Sequence, residues 1–209
     1  MIKQNIFKFN FHTKKNSLDF YLNKTNELAY KGIIDKNNKY IFLKGPKKSG
    51  KTYFANLWKK TNKAIIFDNN FNYIINNNKN ILVENINNKL NQENLFHILN
   101  HCNSNNLNIL ITSNLDIDSI NFSLQDLISR LKIFTFLEIK QPDDDMLINL
   151  LTKYFIEKQF IINSKEIFQY IIKHTDRTYE NMFNLVNKLD TLSIEKKRQL
   201  TIPLIKEIL

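Results

Sequence analysis

The chain has 209 residues and a net charge of +10 at neutral pH, room for one compact domain plus a small appendage. Only three of its 30 basic residues are arginine, and the lysines are scattered rather than striped, so weak, indirect, salt-sensitive attraction to DNA is expected, not a dedicated footprint. The single cysteine, Cys102, reads as a buried apolar residue and excludes a disulfide framework; with no apolar run near the ~18 residues of a membrane span, a soluble cytoplasmic protein without a membrane role is expected.

Residues 1–12, MIKQNIFKFNFH, alternate apolar with polar side chains and read as a short extended segment. SLDFYLNKTNELAYKGII (17–34) carries an amphipathic helix with Thr25 or Asn26 near its start. KYIFLKG (39–45) then predicts a buried strand running into Gly45-x-x-x-x-Gly50-Lys51-Thr52, the full phosphate-loop spacing, and TYFANLWKK (52–60) the helix that leaves it. Each residue type has a mechanical reason. The glycines let backbone N–H groups turn inward around a β-phosphate, Lys51 brings a charge to the β and γ oxygens, and the Thr52 hydroxyl can ligate Mg²⁺. The helix start adds the positive end of its dipole, so Ser49 and Tyr53 join the candidate nucleotide-binding set. Average usage of about 7% would place roughly 15 glycines in such a chain; this one has 3, and two of them stand at the pattern positions.

AIIFD (64–68) is the next short β-rich run. The Asn-rich stretch 69–80 carries Phe71, Tyr73, Ile74 and Ile75, which favour an ordered helix or turn over a linker. NILVEN (80–85) predicts a strand ending in Glu84, placed to hold Mg²⁺; Asn85 stands where a water-activating acid is expected and cannot act as a base. A helix over 91–104 follows, then NILITSN (108–114), whose Thr112, Ser113 and Asn114 end a strand with polar groups that can reach a γ-phosphate or the water beside it. SLQDLISRLKIF (123–134) reads as a Ser-capped short helix ending in Arg130, before the strand KIFTFLEI (132–139). In so lysine-biased a chain, a retained arginine suggests a need for the planar bidentate fork, and an outward-facing arginine on a helix end can complete a neighbouring subunit's phosphate site in trans; the alternative is a surface arginine with no partner. After Pro142 the pattern is helical throughout: 143–159, 163–175, 178–192 and a last turn from Pro203. Five strands alternating with helices predict a parallel sheet covered on both faces. The expected layout is an N-terminal segment at 1–12, an α/β nucleotide-binding domain at 13–141 and a helical domain at 142–209.

The order of phosphate loop, strand-end acid, TSN, SRL and a Pro-initiated helical lid resembles the AAA+ ATPases of the bacterial replication initiator clade. LDFYLNKTNELAY resembles that clade's opening segment, which implies that Asp19, Phe20, Asn26 and Ala29 border the adenine. Within the clade the chain is most similar to the Hda-like regulators, which promote ATP hydrolysis on the DnaA-type initiator. The acid–Asn pair at Glu84–Asn85 and the closing segment KRQLTIPLIKEIL (197–209) carry that likeness. The resemblance implies a chain that ends with the lid, at Leu209, without a helix-turn-helix DNA-binding domain. It also implies a sliding-clamp-binding peptide at QNIFKF (4–9), with Gln4, Phe7 and Phe9 as anchors, although Asn5 sits where Leu is usual.

One departure stands out. The clade's lid helix normally projects an arginine onto the nucleotide phosphates, and the matching position here is Glu180; Arg177, almost one turn earlier, is the candidate substitute if the helix register shifts. With Asn85, this implies poor hydrolysis in cis and a protein that holds ADP or ATP better than it consumes it. Catalytic roles then fall to Arg130 in trans, Glu84 and Asn114, and a homodimer is left open. Two alternatives stay beside the regulator: a DNA-binding ATPase of the initiator or helicase-loader type, and a non-catalytic initiator-like adaptor.

Overall fold

The structure is a computed structural model, and it describes residues 20–67, 71–87, 91–162 and 164–209. Five parallel strands form one sheet: β1 (Tyr40–Lys44), β2 (Ile65–Ile66), β3 (Ile81–Ile86), β4 (Ile109–Ser113) and β5 (Thr135–Glu138), in the order β2-β3-β4-β1-β5. The expected sheet is therefore present. The central strands β1 and β4 are apolar on both faces because helices cover both. The two-residue alternation along β1 divides the core. Ile41 and Leu43 face α1 (Glu27–Ile34) and α2 (Lys51–Asn62), packing with Ala29, Ile33, Phe54 and Trp58. Phe42 faces α3 (Phe71–Asn77), α4 (Gln92–Ser104) and α5 (Gln125–Leu131), where Ile74, Leu95, Ile98, Cys102 and Leu127 meet it. Cys102 is buried, as its composition class suggested, and burial pushes its thiol up to about 12.

The C-terminal segment is a helical unit with its own core. It comprises α6 (Asp144–Glu157), α7 (Glu166–His174), α8 (Tyr179–Lys196) and α9 (Ile202–Lys206), with Leu151, Phe155, Ile171, Met182 and Leu189 buried between them. Both long helices start on side-chain caps: Asp143 accepts from the Met146 N–H (2.9 Å) and Thr178 from the Asn181 N–H (3.1 Å). The lid is not a free appendage. Met146 and Tyr179 belong to the same apolar cluster as β1 and α2, and the Tyr179 hydroxyl donates to the Lys140 carbonyl (3.2 Å) at the end of the sheet.

The first helix begins at Glu27 with Asn26 at its cap position, as expected, though the Asn26 side chain makes no cap bond. The short helix expected to end at Arg130 spans Gln125–Leu131, but one local expectation differs: Ser123 does not cap it, and donates its N–H and hydroxyl to Gln92 instead. Among the described residues no helix is long and apolar enough to cross a membrane.

Candidate nucleotide site and arginine helix

The phosphate loop sits where β1 leaves the sheet, anchored by the Gly45 N–H donating to the Ser113 carbonyl at the end of β4 (3.1 Å). Its two glycines are sterically required. A Cβ at Gly45 would lie 2.9 Å from Ser49 Oγ and 3.0 Å from Ile139 Cβ. Gly50 has φ +96°, and a Cβ there would meet the Phe20 ring at 2.8 Å. Lys48, at φ +63°, completes the reversal that turns the chain into α2.

Inside the loop, Lys51 is 9% exposed and donates to the carbonyls of Gly45 and Pro46, each at 2.7 Å. No carboxylate pairs with it among the described residues, and burial pushes its pKa down to about 8. Ser49 Oγ is buried without a hydrogen-bond partner. A buried ammonium lacking a counter-ion beside a buried, unpartnered hydroxyl fits a phosphate anion, and the first N–H groups of α2 have no preceding carbonyl to bond. Thr52, in the first turn of α2, keeps its side chain exposed. Beside the loop, Phe20 stacks on Tyr53 with centroids 4.4 Å apart and planes 5° apart, and leans on Phe54 at 4.8 Å. These rings form an apolar wall next to the phosphate position. Asn26 is 2% exposed, and its amide is engaged from both sides: Oδ1 accepts from the Asn23 N–H (3.0 Å) and Nδ2 donates to the Tyr21 carbonyl (2.9 Å). It builds the turn that carries Phe20's neighbours, beside the buried Ala29. Asp19 and the peptide residues Gln4, Phe7 and Phe9 lie outside the described residues.

At the neighbouring strand ends, Glu84 is exposed on β3, and Asn85 has left-handed φ (+55°), a conformation Asn tolerates. There the β3–β4 register shifts between Val83 and Ile86. Thr112 and Ser113 are spent on this irregularity. The Asn85 N–H donates to Thr112 Oγ1 (2.8 Å), and Ser113 Oγ donates to the Ile86 carbonyl (3.2 Å) while accepting from the Leu115 N–H (2.9 Å). Both are buried, so the expectation that they reach a γ-phosphate is corrected: they hold the strand ends in place. Asn114 is the more accessible member of the three, and its Nδ2 donates to Asn85 Oδ1 (2.9 Å).

The lid touches the loop through lysines that the motif does not require. Lys47 pairs with Glu180 (3.7 Å), and Lys48 Nζ stands 4.1 Å from the Phe183 ring centroid. Arg177 precedes the Thr178 cap, outside α8, and is ion-paired with Asp144 on α6, so no register shift places it on the helix. This lid–loop pairing was not visible in the motif, although Glu180 was singled out by its position.

Arg130 lies in the last turn of α5 with its guanidinium carbon 5.0 Å from the Phe96 ring centroid. The other two arginines are both ion-paired, Arg177 with Asp144 and Arg198 with Glu207. Arg130 makes no ion pair among the described residues.

Residues 144–209 match the family model of the Hda lid domain. The fold is similar to that of AMPPCP-bound DnaA from Aquifex aeolicus (TM-score 0.68, 18% identity, 89% of this chain and 68% of that one). It is also similar to domain III of the replication initiation protein DnaA from Thermotoga maritima (TM-score 0.73, 15% identity, 92% of this chain and 94% of that one). The Holliday junction branch migration motor RuvB from Thermotoga maritima is a more distant likeness (TM-score 0.61, 14% identity, 81% of this chain and 60% of that one).

Proposed function

We propose that this Hda-like, DnaA-related AAA+ protein is a nucleotide-holding regulator of the replication initiator, stimulating ATP hydrolysis on a DnaA-type partner by inserting Arg130 into the partner's site. The single observation that carries this reading is the state of Arg130: alone among the three arginines it has no carboxylate partner among the described residues, and it is held over an aromatic face at a helix end. A guanidinium left without a counter-ion is ready for a planar anion from outside, and an arginine added in trans to a phosphoryl-transfer site is worth about 10³–10⁵ in rate.

The protein's own nucleotide, ADP or ATP, serves as a fixed part of its structure. Lys51, Ser49 and the start of α2 hold the phosphates, and Phe20 and Tyr53 wall the base side. Thr52 and Glu84 are the residues that would hold Mg²⁺, whose chemistry is to neutralise charge on bridging phosphate oxygens. Asn85 supplies no base, and Glu180 is occupied by Lys47, so neither activates water nor contacts a γ-phosphate. Hydrolysis in cis is therefore weak. Gln4, Phe7 and Phe9 tether the protein to the sliding clamp, which raises its effective concentration near newly made DNA in the cytoplasm. Loss of ATP-bound initiator then prevents re-initiation.

The test is phosphate release from initiator preloaded with ATP, with and without this protein, on DNA with and without loaded clamp. Stimulation that requires the protein and rises with the clamp is expected. Hydrolysis by the protein itself, stimulated by DNA and indifferent to the initiator, would replace this reading with a DNA-dependent ATPase.

A further inference from the structure

α4 grips α5 at both ends. At the start of α5, Gln92 Oε1 accepts from the Ser123 N–H (2.8 Å), the Ser123 hydroxyl (3.2 Å) and the Leu124 N–H (3.3 Å). Its Nε2 donates to the Asn121 carbonyl (3.4 Å). One amide therefore clamps residues 121–124, the segment that sets where α5 begins and which lacks a side-chain cap of its own. At the far end, Phe96 carries the Arg130 guanidinium on its ring at 5.0 Å. Gln92 and Phe96 are four residues apart on α4, so they share one face of that helix. Leu127, between these two contacts, and Leu131, just past the second, are fully buried in the core on that face of the sheet. The helix thus has three supports: a polar clamp, an apolar keel and an aromatic rest for its arginine.

We infer that Gln92 and Phe96 are positioning residues for Arg130, holding its fork oriented before a partner arrives; this rests on the trans-arginine reading above. The physical gain is preorganisation. A free arginine side chain loses rotamer freedom when it meets phosphate, whereas one already resting on a ring has lost part of it beforehand. Aromatic contact also leaves the N–H donors at the guanidinium edge available, which a carboxylate partner would not.

Two measurements separate placement from function. In the ¹⁵N-labelled protein, with only three arginines to assign, the Arg130 Nε–Hε resonance is expected at a ring-shifted position. It is expected to move toward its unshifted value in Phe96→Leu and to remain shifted in Phe96→Trp. In the initiator assay, Phe96→Leu is expected to lower the maximal stimulated rate about two- to fivefold, with Phe96→Trp restoring it. Gln92→Leu is expected to lower that rate about two- to tenfold, while Gln92→Glu, which keeps the acceptor, restores it. The concentration giving half-maximal stimulation should stay near wild type in all four variants, each assayed below its own melting transition, because the contacts act on the orientation of Arg130 and not on docking. If the resonance moves but the maximal rate does not, the positioning role is overturned while Arg130 stands. An unshifted resonance in the wild-type protein also overturns it. If Arg130→Ala stimulates as well as wild type, the trans-arginine reading falls, and the positioning role with it.

Discussion

Lys51 sits where burial opposes its own charge. Among the described residues its ammonium is satisfied by two carbonyls, and its pKa lies near 8 against an ordinary 10.5. Because the folded value is depressed, the unfolded chain binds more protons than the folded one between about pH 8 and 10.5. Through this group, stability of the nucleotide-free protein should therefore rise with pH across that window, and Lys51→Met should abolish the rise in denaturant titrations. Phosphate beside Lys51 restores the charged form, so ADP binding at pH 8 to 9 should take up protons, seen as a buffer-dependent binding enthalpy that Lys51→Met lacks. Asn85 makes a second case. Its left-handed backbone and its acceptor bond from Asn114 suit Asp equally well. Asn85→Asp should therefore fold normally and raise the protein's own hydrolysis at least about tenfold, as a positioned base would; an unchanged rate would show that something besides the missing acid limits hydrolysis in cis. The places of Gly45, Gly50 and Lys51 in the loop were legible because motif spacing fixes them locally. The burial of Thr112 and Ser113 was not, because it depends on a register shift between two strands far apart in sequence.

Elements repeat this contrast. Strands and helices followed from apolar periodicity, and the lid from the change in pattern after Pro142, since both signals lie within a dozen residues. The start of α5 was misread because Ser123 looks like a cap, while its actual partner, Gln92, stands 31 residues upstream on another helix. The joint between lid and sheet was likewise invisible: Tyr179 reads as one more apolar residue of α8, yet it is 1% exposed against the β1–α2 cluster, with its hydroxyl bonded to Lys140. Removing that ring should cost about 3–5 kcal/mol, the range for deleting a large buried aromatic. The expected signature of Tyr179→Ala is a lid that unfolds ahead of the sheet, giving two thermal transitions by calorimetry where wild type gives one. A single transition at the wild-type temperature would mean that the lid is coupled to the sheet mainly elsewhere, for example through Met146 or the Lys47–Glu180 pair. That surface pair is worth at most about 1 kcal/mol.

At the scale of the whole molecule, the phosphate loop and Arg130 lie at separate helices, α2 and α5, attached to neighbouring strands of one sheet. α2 follows β1, and α5 leads into β5, which pairs with β1. Under the trans-arginine proposal, a frame of this kind would let nucleotide in one subunit and arginine in the next act together. The α/β class and the lid were readable from pattern alone. Arg130 stood out in the sequence only as a type of residue at a helix end, because its lack of an ion pair among the described residues is a property of the folded surface. The measurement that bears most directly on this reading is phosphate release from ATP-loaded initiator, with clamp on DNA, comparing wild type with Arg130→Ala at concentrations where both bind the initiator equally. The trans-arginine reading predicts stimulation by wild type and a rate near background for a folded Arg130→Ala. Equal stimulation by the two proteins would contradict it.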